Sequence, residues 1–186
     1  MLKIKALGPK DFWALVEKHE KKVFTGQTYA AHQHMLAREK ENFEERKKFI
    51  QERIALYYVL LDEKNNLAGW TAGFQMRPND FFMMTSAVLP KYRGKDGYTK
   101  LLKEVLEKTK ALGFQVVYSK HLATNNPIII AKLKLGFMVA GMEVSDQMGT
   151  VVRMVYSHNP LREELLRYRT GELHPSLRVK KALKLK

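Results

Sequence analysis

The stretch Met83-Met84-Thr85-Ser86-Ala87-Val88-Leu89-Pro90-Lys91-Tyr92-Arg93-Gly94-Lys95-Asp96-Gly97-Tyr98-Thr99-Lys100-Leu101-Leu102 decides the fold. Its first half belongs to the apolar run Phe81 to Leu89, which has strand character and is interrupted at Pro90, a residue that cannot donate to a sheet ladder. After the basic turn Arg93 to Gly97, the residues Tyr98, Leu101, Leu102, Val105, Leu106 and Leu112 recur at helical spacing until Gly113 stops them. A strand, a glycine-containing basic turn and a helix thus follow one another. The first N–H groups of such a helix lack intrahelical acceptors and sit at the positive end of its dipole, so the turn can hold a pyrophosphate. Arg93 and Lys95 add full charges. A Gly-x-x-Gly turn also serves as a plain strand-to-helix connection, and the segment alone does not choose between the two.

Upstream, Leu56 to Leu61 and Leu67 to Gln75 are apolar runs on either side of Asp62-Glu63-Lys64-Asn65-Asn66, which is turn chemistry between antiparallel strands. Arg77-Pro78-Asn79-Asp80 turns the chain again, so three strands form a meander. Nearer the N-terminus, Lys3 to Leu7 alternates as a short strand, a helix is expected from Phe12 to Phe24, and Tyr29 to Ile50, free of Gly and Pro, reads as a second helix. Downstream, Phe114 to Leu122 is a strand, and Asn126-Pro127 offers a cap and first position for a short helix to Leu135. Strands Phe137 to Val144 and Thr150 to Tyr156 and a helix Leu161 to Tyr168 follow. This order predicts an α/β fold: a mixed, mostly antiparallel twisted sheet of about six to seven strands with helices on both faces. Residues 1–170 are expected to form one domain and residues 171–186 a basic C-terminal extension.

The 186 residues suffice for one well-cored domain, and 45% hydrophobic with 28% charged residues excludes wholesale disorder. No apolar run reaches the roughly 20 residues of a membrane span and the N-terminus has no apolar signal region, so a soluble cytoplasmic protein without a membrane partner is expected. The absence of cysteine excludes disulfides, thiolate metal sites and a catalytic thiol. The formal charge of +14 implies attraction to anions: a phosphate-rich cofactor, a nucleic acid or an acidic substrate would each profit. Arg178, Lys180, Lys181, Lys184 and Lys186 concentrate part of that charge in what is either a solvated tail or a helix.

The segment RGKDGYTKLL resembles the acetyl-CoA signature of the Gcn5-related N-acetyltransferases, usually Q/R-x-x-G-x-G/A. Arg93 fits its first position; Asp96 stands where the first signature glycine usually is, and Tyr98 replaces the second small residue. Gly97 is expected to relax the loop in compensation, and Asp96 to cap the helix with its carboxylate turned from the phosphates. A second segment, Thr124-Asn125-Asn126-Pro127 followed by Lys132-Leu133-Lys134-Leu135-Gly136-Phe137, resembles the family's later N-x-P to L-G-F pattern. The resemblance implies an acyl-CoA N-acyltransferase fold and acetyl-CoA as co-substrate. The cofactor would contact Ser86, Ala87 and Val88 on a splayed strand, the loop Arg93, Gly94, Lys95, Asp96, Gly97, Tyr98 and Thr99, and Asn125 against the pantetheine. It would deliver acetyl directly to an amine acceptor that the sequence does not identify.

Catalytic residues are less legible. The tyrosine acid that the family often carries four residues before the glycine of L-G-F is Lys132 here, and a frequent glutamate is Lys120. Lys132 could meet a cofactor phosphate or the thiolate, although a solvated side chain is the plainer reading, and a CoA thiolate, with a thiol pKa of roughly 8 to 9, can take its proton from solvent. His121 on a strand and Tyr29 at the connection between the first two helices are the candidates for catalysis, with His32 and Glu143 behind them. No metal-ligand spacing is present. The rival class is a CoA-binding module without turnover or a basic nucleic-acid-binding domain, the latter lacking any recognisable nucleic-acid motif. A homodimer is an open alternative.

Overall fold

In the computed structural model, which describes residues 1–24, 36–50, 53–146 and 148–185, the chain runs β1 (Lys3–Ala6), α1 (Pro9–Glu17), α2 (Ala37–Ile50), β2 (Ala55–Leu61), β3 (Leu67–Arg77), β4 (Asp80–Val88), α3 (Gly97–Ala111), β5 (Val116–Leu122), α4 (Asn126–Lys134), β6 (Met138–Ser145), β7 (Gly149–Ser157), α5 (Pro160–Arg169) and α6 (Leu177–Leu183). The strands form one sheet in the order β1-β2-β3-β4-β5-β7-β6, antiparallel except between β4 and β5. The expected mixed sheet with helices on both faces is therefore present.

Leu67 to Gly73 are all buried, as befits a strand covered on both sides. One face of the sheet receives Leu101, Leu102, Val105 and Leu106 of α3, which recur at helical spacing. The other receives Phe12 and Val16 of α1, with the Phe12 ring 5.2 Å from that of Tyr57.

The parallel junction is short. Asp80 to Met83 pair with Val116 to Ser119, and there pairing stops, although β4 continues to Val88 and β5 to Leu122. The cause lies on the other edge of β4. Gly73 pairs with Met83 and Ala72 with Thr85, so Met84 is an extra residue, a bulge that bends β4 at the point where it leaves β5. The backbone turns so tightly that a Cβ on Gly73 would lie 2.4 Å from the Phe82 carbonyl oxygen. β5 stays paired with β7 along its whole length, so the sheet opens into two halves, β1 to β4 and β5 to β6.

Several boundaries differ from expectation. The first helix ends at Glu17 and passes into a short 3-10 turn at Glu20–Lys22. Of the second expected helix, residues 25–35 lie outside the described residues, and α2 covers the remainder to Ile50. α4 starts one residue early, with Asn125 in the cap position and Pro127 within the first turn. The basic terminus forms α6, docked on α5: Val179 is buried, and Glu164 accepts from Ser176 Oγ at 2.6 Å and from Arg178 at 3.2 Å.

Deleting Met84 would leave Met83 and Thr85 alternating as β3 requires, because the bulge residue is the one out of phase. The variant is expected to fold with a melting temperature within a few degrees of wild type, while backbone amides within Thr85–Val88 gain hydrogen-exchange protection as β4 closes on β5. Unchanged exchange in a folded variant would show that the bulge does not hold the strands apart.

Candidate active site

The mouth of the opening is the turn between β4 and α3. Tyr92 Oη donates to Asp62 Oδ2 at 2.7 Å, tying the turn to the β2–β3 hairpin, and this bond with those from Asn66 holds the Asp62 carboxyl well below the usual carboxylate range. Arg93 Nε donates to the Val88 carbonyl at 3.3 Å, folding back over the end of β4. Gly94 has φ +73 and Asp96 has φ 53 and ψ 12, so both are left-handed. This corrects the expectation for Asp96. A capping side chain reaches the helix N–H groups from an extended backbone, and from the left-handed region Asp96 makes no such bond. α3 begins uncapped, its first helical bond running from Lys100 N to Asp96 O at 2.9 Å. Gly97 does not relax the loop either. It packs, since a Cβ there would lie 2.7 Å from Leu60 Cδ2.

Along the opening, the side chains of β4 are engaged within the protein: Ser86 Oγ meets Thr71 Oγ1 at 2.7 Å, Thr85 Oγ1 accepts from Trp70 Nε1 at 3.3 Å, and Ala87 is buried. Thr85 to Val88 have no strand partner on the β5 side, so backbone groups of this edge are left for a ligand. On the opposite wall Asn125 holds the cap position of α4 without a side-chain cap bond, and its amide has no partner among the described residues.

At the apex sits Lys132. It is the one buried residue of α4 and is 0% exposed, which overturns the solvated reading. Ile128, Ile129 and Leu135, at helical spacing, place position 132 on the inward stripe, a signal present in the sequence but masked by the residue type. Its Nζ lies 3.4 Å from Met83 Sδ, on the last β4 residue paired with β5, and 4.0 Å from the centroid of the Phe137 ring. Among the described residues no carboxylate pairs with it. Burial lowers its pKa to about 7. His121 is nearby on β5, its Nε2 2.9 Å from Ser119 Oγ, and burial together with the Lys132 charge lowers its pKa to about 3. It is therefore neutral at physiological pH and a weak proton acceptor. Tyr98, at the start of α3, has a buried hydroxyl without a partner, and burial raises its pKa.

Lys120 points to the other sheet face, where it forms an ion pair with Glu143. Tyr29 and His32 lie outside the described residues. Among the described residues no cluster of His, Asp and Glu could hold a metal ion, and no helix is long and apolar enough to cross a membrane.

An uncapped helix N-terminus in a basic turn, an unpaired strand edge and a free asparagine amide line one opening, and these donors suit a phosphate-bearing, amide-containing chain such as CoA. The family model described as Acetyltransferase (GNAT) family matches residues 19–137. No curated protein matches the sequence. Among solved structures, the ribosomal-protein-S18-alanine N-acetyltransferase from Escherichia coli is 17% identical at a TM-score of 0.60, covering 84% of this chain and 94% of that one. A spermidine/spermine N-acetyltransferase SpeG from Vibrio cholerae, in E33Q and E41Q mutant forms, is 16% identical at 0.60, covering 93% and 100%. Nourseothricin acetyltransferase is 18% identical at 0.52, covering 56% of this chain and 66% of that one.

The lowered pKa of Lys132 gives a stability prediction with a definite sign. Between the folded value of about 7 and an ordinary lysine value, the unfolded chain binds the proton that the folded chain releases, so stability rises with pH in that window. Lys132→Met carries no such term. It is expected to exceed wild type in stability by a margin that grows as pH falls from about 10 to about 7 and is constant below. Chemical denaturation of both proteins across that range measures the margin, and a pH-independent difference would place the folded pKa in the ordinary range.

Proposed function

The chain belongs to the acetyltransferase (GNAT) family, and on that premise we propose that it is a cytoplasmic acetyl-CoA-dependent enzyme that transfers acetyl directly to an amine within a ternary complex. The observation that carries this reading is the parting of β4 from β5 beside the uncapped start of α3. Arg93, Gly94, Lys95, Asp96, Gly97, Tyr98 and Thr99 hold the pyrophosphate through backbone N–H groups and the two cationic side chains. Ser86, Ala87 and Val88 present backbone groups to the pantetheine, which Asn125 secures from the other wall. Acetyl-CoA supplies an activated thioester. A backbone N–H of β4 polarises its carbonyl, and a neutral amine attacks.

When the C–N bond forms and the C–S bond breaks, the sulfur leaves with an electron pair. Lys132 gives it a proton and is recharged from solvent, while the proton on the new amide nitrogen departs to water. An ammonium with a pKa of about 7 is a better acid for a thiolate than an ordinary lysine, and its burial beside Met83 puts it at the apex of the opening. His121, neutral and bonded to Ser119, orients this cluster and takes no proton at neutral pH.

Lys132→Met is expected to slow the transfer step on the order of a hundredfold with acetyl-CoA affinity kept, and to remove the fall in rate above about pH 7 that follows from needing the protonated lysine. Rapid-quench measurement of acetyl transfer as a function of pH tests this. A loss below about tenfold with an unaltered pH profile would return protonation of the thiolate to solvent.

Asp96→Gly is expected to tighten acetyl-CoA about threefold to tenfold, because glycine adopts the left-handed backbone without strain and the change removes an anion beside the phosphates. Calorimetry showing weaker binding would assign Asp96 a positive part in the phosphate site.

A further inference from the structure

On the sheet face opposite α3 and α4, a cavity of about 470 Å³ runs between the strands and α5. Its size is that of a small-molecule site rather than of a protein groove. The floor is apolar and aromatic at its middle, where the Tyr118 ring lies 5.0 Å from that of Phe82, and Leu165 and Leu166 of α5 line the other side. The rim is cationic. Lys120 and Arg153 face each other across β5 and β7 at one end, while Arg77, Arg162 and Arg169 line the rest.

Two carboxylates oppose these five cations. Glu143 is already paired with Lys120, which leaves Asp80 against four guanidinium groups. Arg162 donates to Gln115 Oε1 at 2.7 Å, and Arg153 reaches the Ala140 carbonyl at 3.5 Å. Among the described residues neither Arg77 nor Arg169 has a hydrogen-bond or ion-pair partner. Guanidinium groups gathered around a concave, partly apolar space with their charge uncompensated are built for an anion.

The cavity also reaches the reacting position. Lys120 is one residue beyond Ser119, where β5 loses its pairing with β4, so one end of the cavity adjoins the apex of the opening from the face opposite Lys132. From Lys120 to Val116 the floor extends roughly 13 Å at strand spacing. A molecule with its amine at the apex would lay its body over Tyr118 and bring its far end to Arg77, which stands opposite Asp80 in the strand ladder beside Val116, and to Arg162, which is held on Gln115, with Arg169 lining the cavity further along α5. We infer that this cavity is the acceptor site and that the acceptor is a small amine bearing a carboxylate or phosphate, rather than a polyamine. The inference rests on the acetyltransferase reading above and adds to it the class of acceptor.

The test uses the full chain and matched amines that differ in the anion: ethanolamine against phosphoethanolamine, tyramine against tyrosine and O-phosphotyramine, and spermidine as the polycation. Calorimetry in the presence of CoA, and free-thiol release in the presence of acetyl-CoA, read binding and turnover separately. The anionic member of each pair is expected to bind at least tenfold more tightly and to give the higher kcat/KM. Arg77→Gln with Arg169→Gln, both at exposed positions, is expected to erase most of that preference without altering acetyl-CoA affinity. Equal affinities within the pairs, or a preference for spermidine, in a protein that binds acetyl-CoA would overturn the acceptor assignment alone. Failure to bind acetyl-CoA would overturn the parent reading and the assignment together. A preference for anions that the double variant keeps would place the anion site elsewhere.

Discussion

The loss of pairing between β4 and β5 after Met83 and Ser119 is the constraint on which the site depends. A parallel sheet interior normally satisfies its backbone on both edges, and leaving two edges open within a folded domain is costly unless water or a ligand completes them. The Met84 bulge makes the parting a property of the chain rather than of the ligand, because β4 is bent by its own register with β3. Since β5 is fully paired with β7, the two edges cannot relax toward each other without breaking one ladder or expelling the bulge. The opening is therefore held by hydrogen bonds on the far side of each wall, which is how a flexible co-substrate can be bound by strand edges that stay in place.

In the proposed mechanism Lys132 turns that opening from a slot into a reactive site. A buried ammonium costs several kcal/mol in desolvation, and the contacts seen here, a thioether and one aromatic face, return at most about 2 kcal/mol. The balance is met by releasing the proton more readily, which is the physical content of the lowered pKa. A methionine of similar length would fill the same space without this cost, so stability gives no reason for lysine at this position. Burial keeps His121 neutral in the same way, and the Lys132 charge adds to that effect.

Most of the architecture was legible because strands and helices here follow their periods and their punctuation: the Asp62 to Asn66 turn, the stop at Pro90, Gly113 and Gly136 after helices. Three features were not. The bulge at Met84 sits in an unbroken apolar run with no glycine or proline of its own, and its existence depends on where β3 places its residues. Asp96 before a helix is the ordinary sign of a cap, and only the backbone angle reveals that it cannot serve as one. Lys132 was misjudged because residue type outweighed position, although its spacing from Ile128 and Leu135 already put it on the inward stripe of α4. For Met84 and Lys132 the local reading was overridden by a contact with another segment, and for Asp96 by the conformation of its own backbone.

The two faces of the sheet divide the electrostatic work. On the α3 side, the turn from Arg93 to Lys95 and the helix terminus form the proposed phosphate site at the mouth, roughly a strand's length from the apex. On the α5 side, Arg77 and Arg162 stand at the Val116 end of the cavity, away from the apex in the other direction. Two anionic ligands entering from opposite faces would repel each other in water, but in the proposed arrangement each would be neutralised at its own end and only their uncharged reacting groups would meet. The net charge of +14 has a local meaning in this proposal, because part of it is spread over the two proposed anion sites. Between them Lys132, the one buried cation among the described residues, sheds its proton readily, so in the proposed mechanism the positive charge at the point of bond exchange varies while the charges proposed to hold the ligands stay fixed.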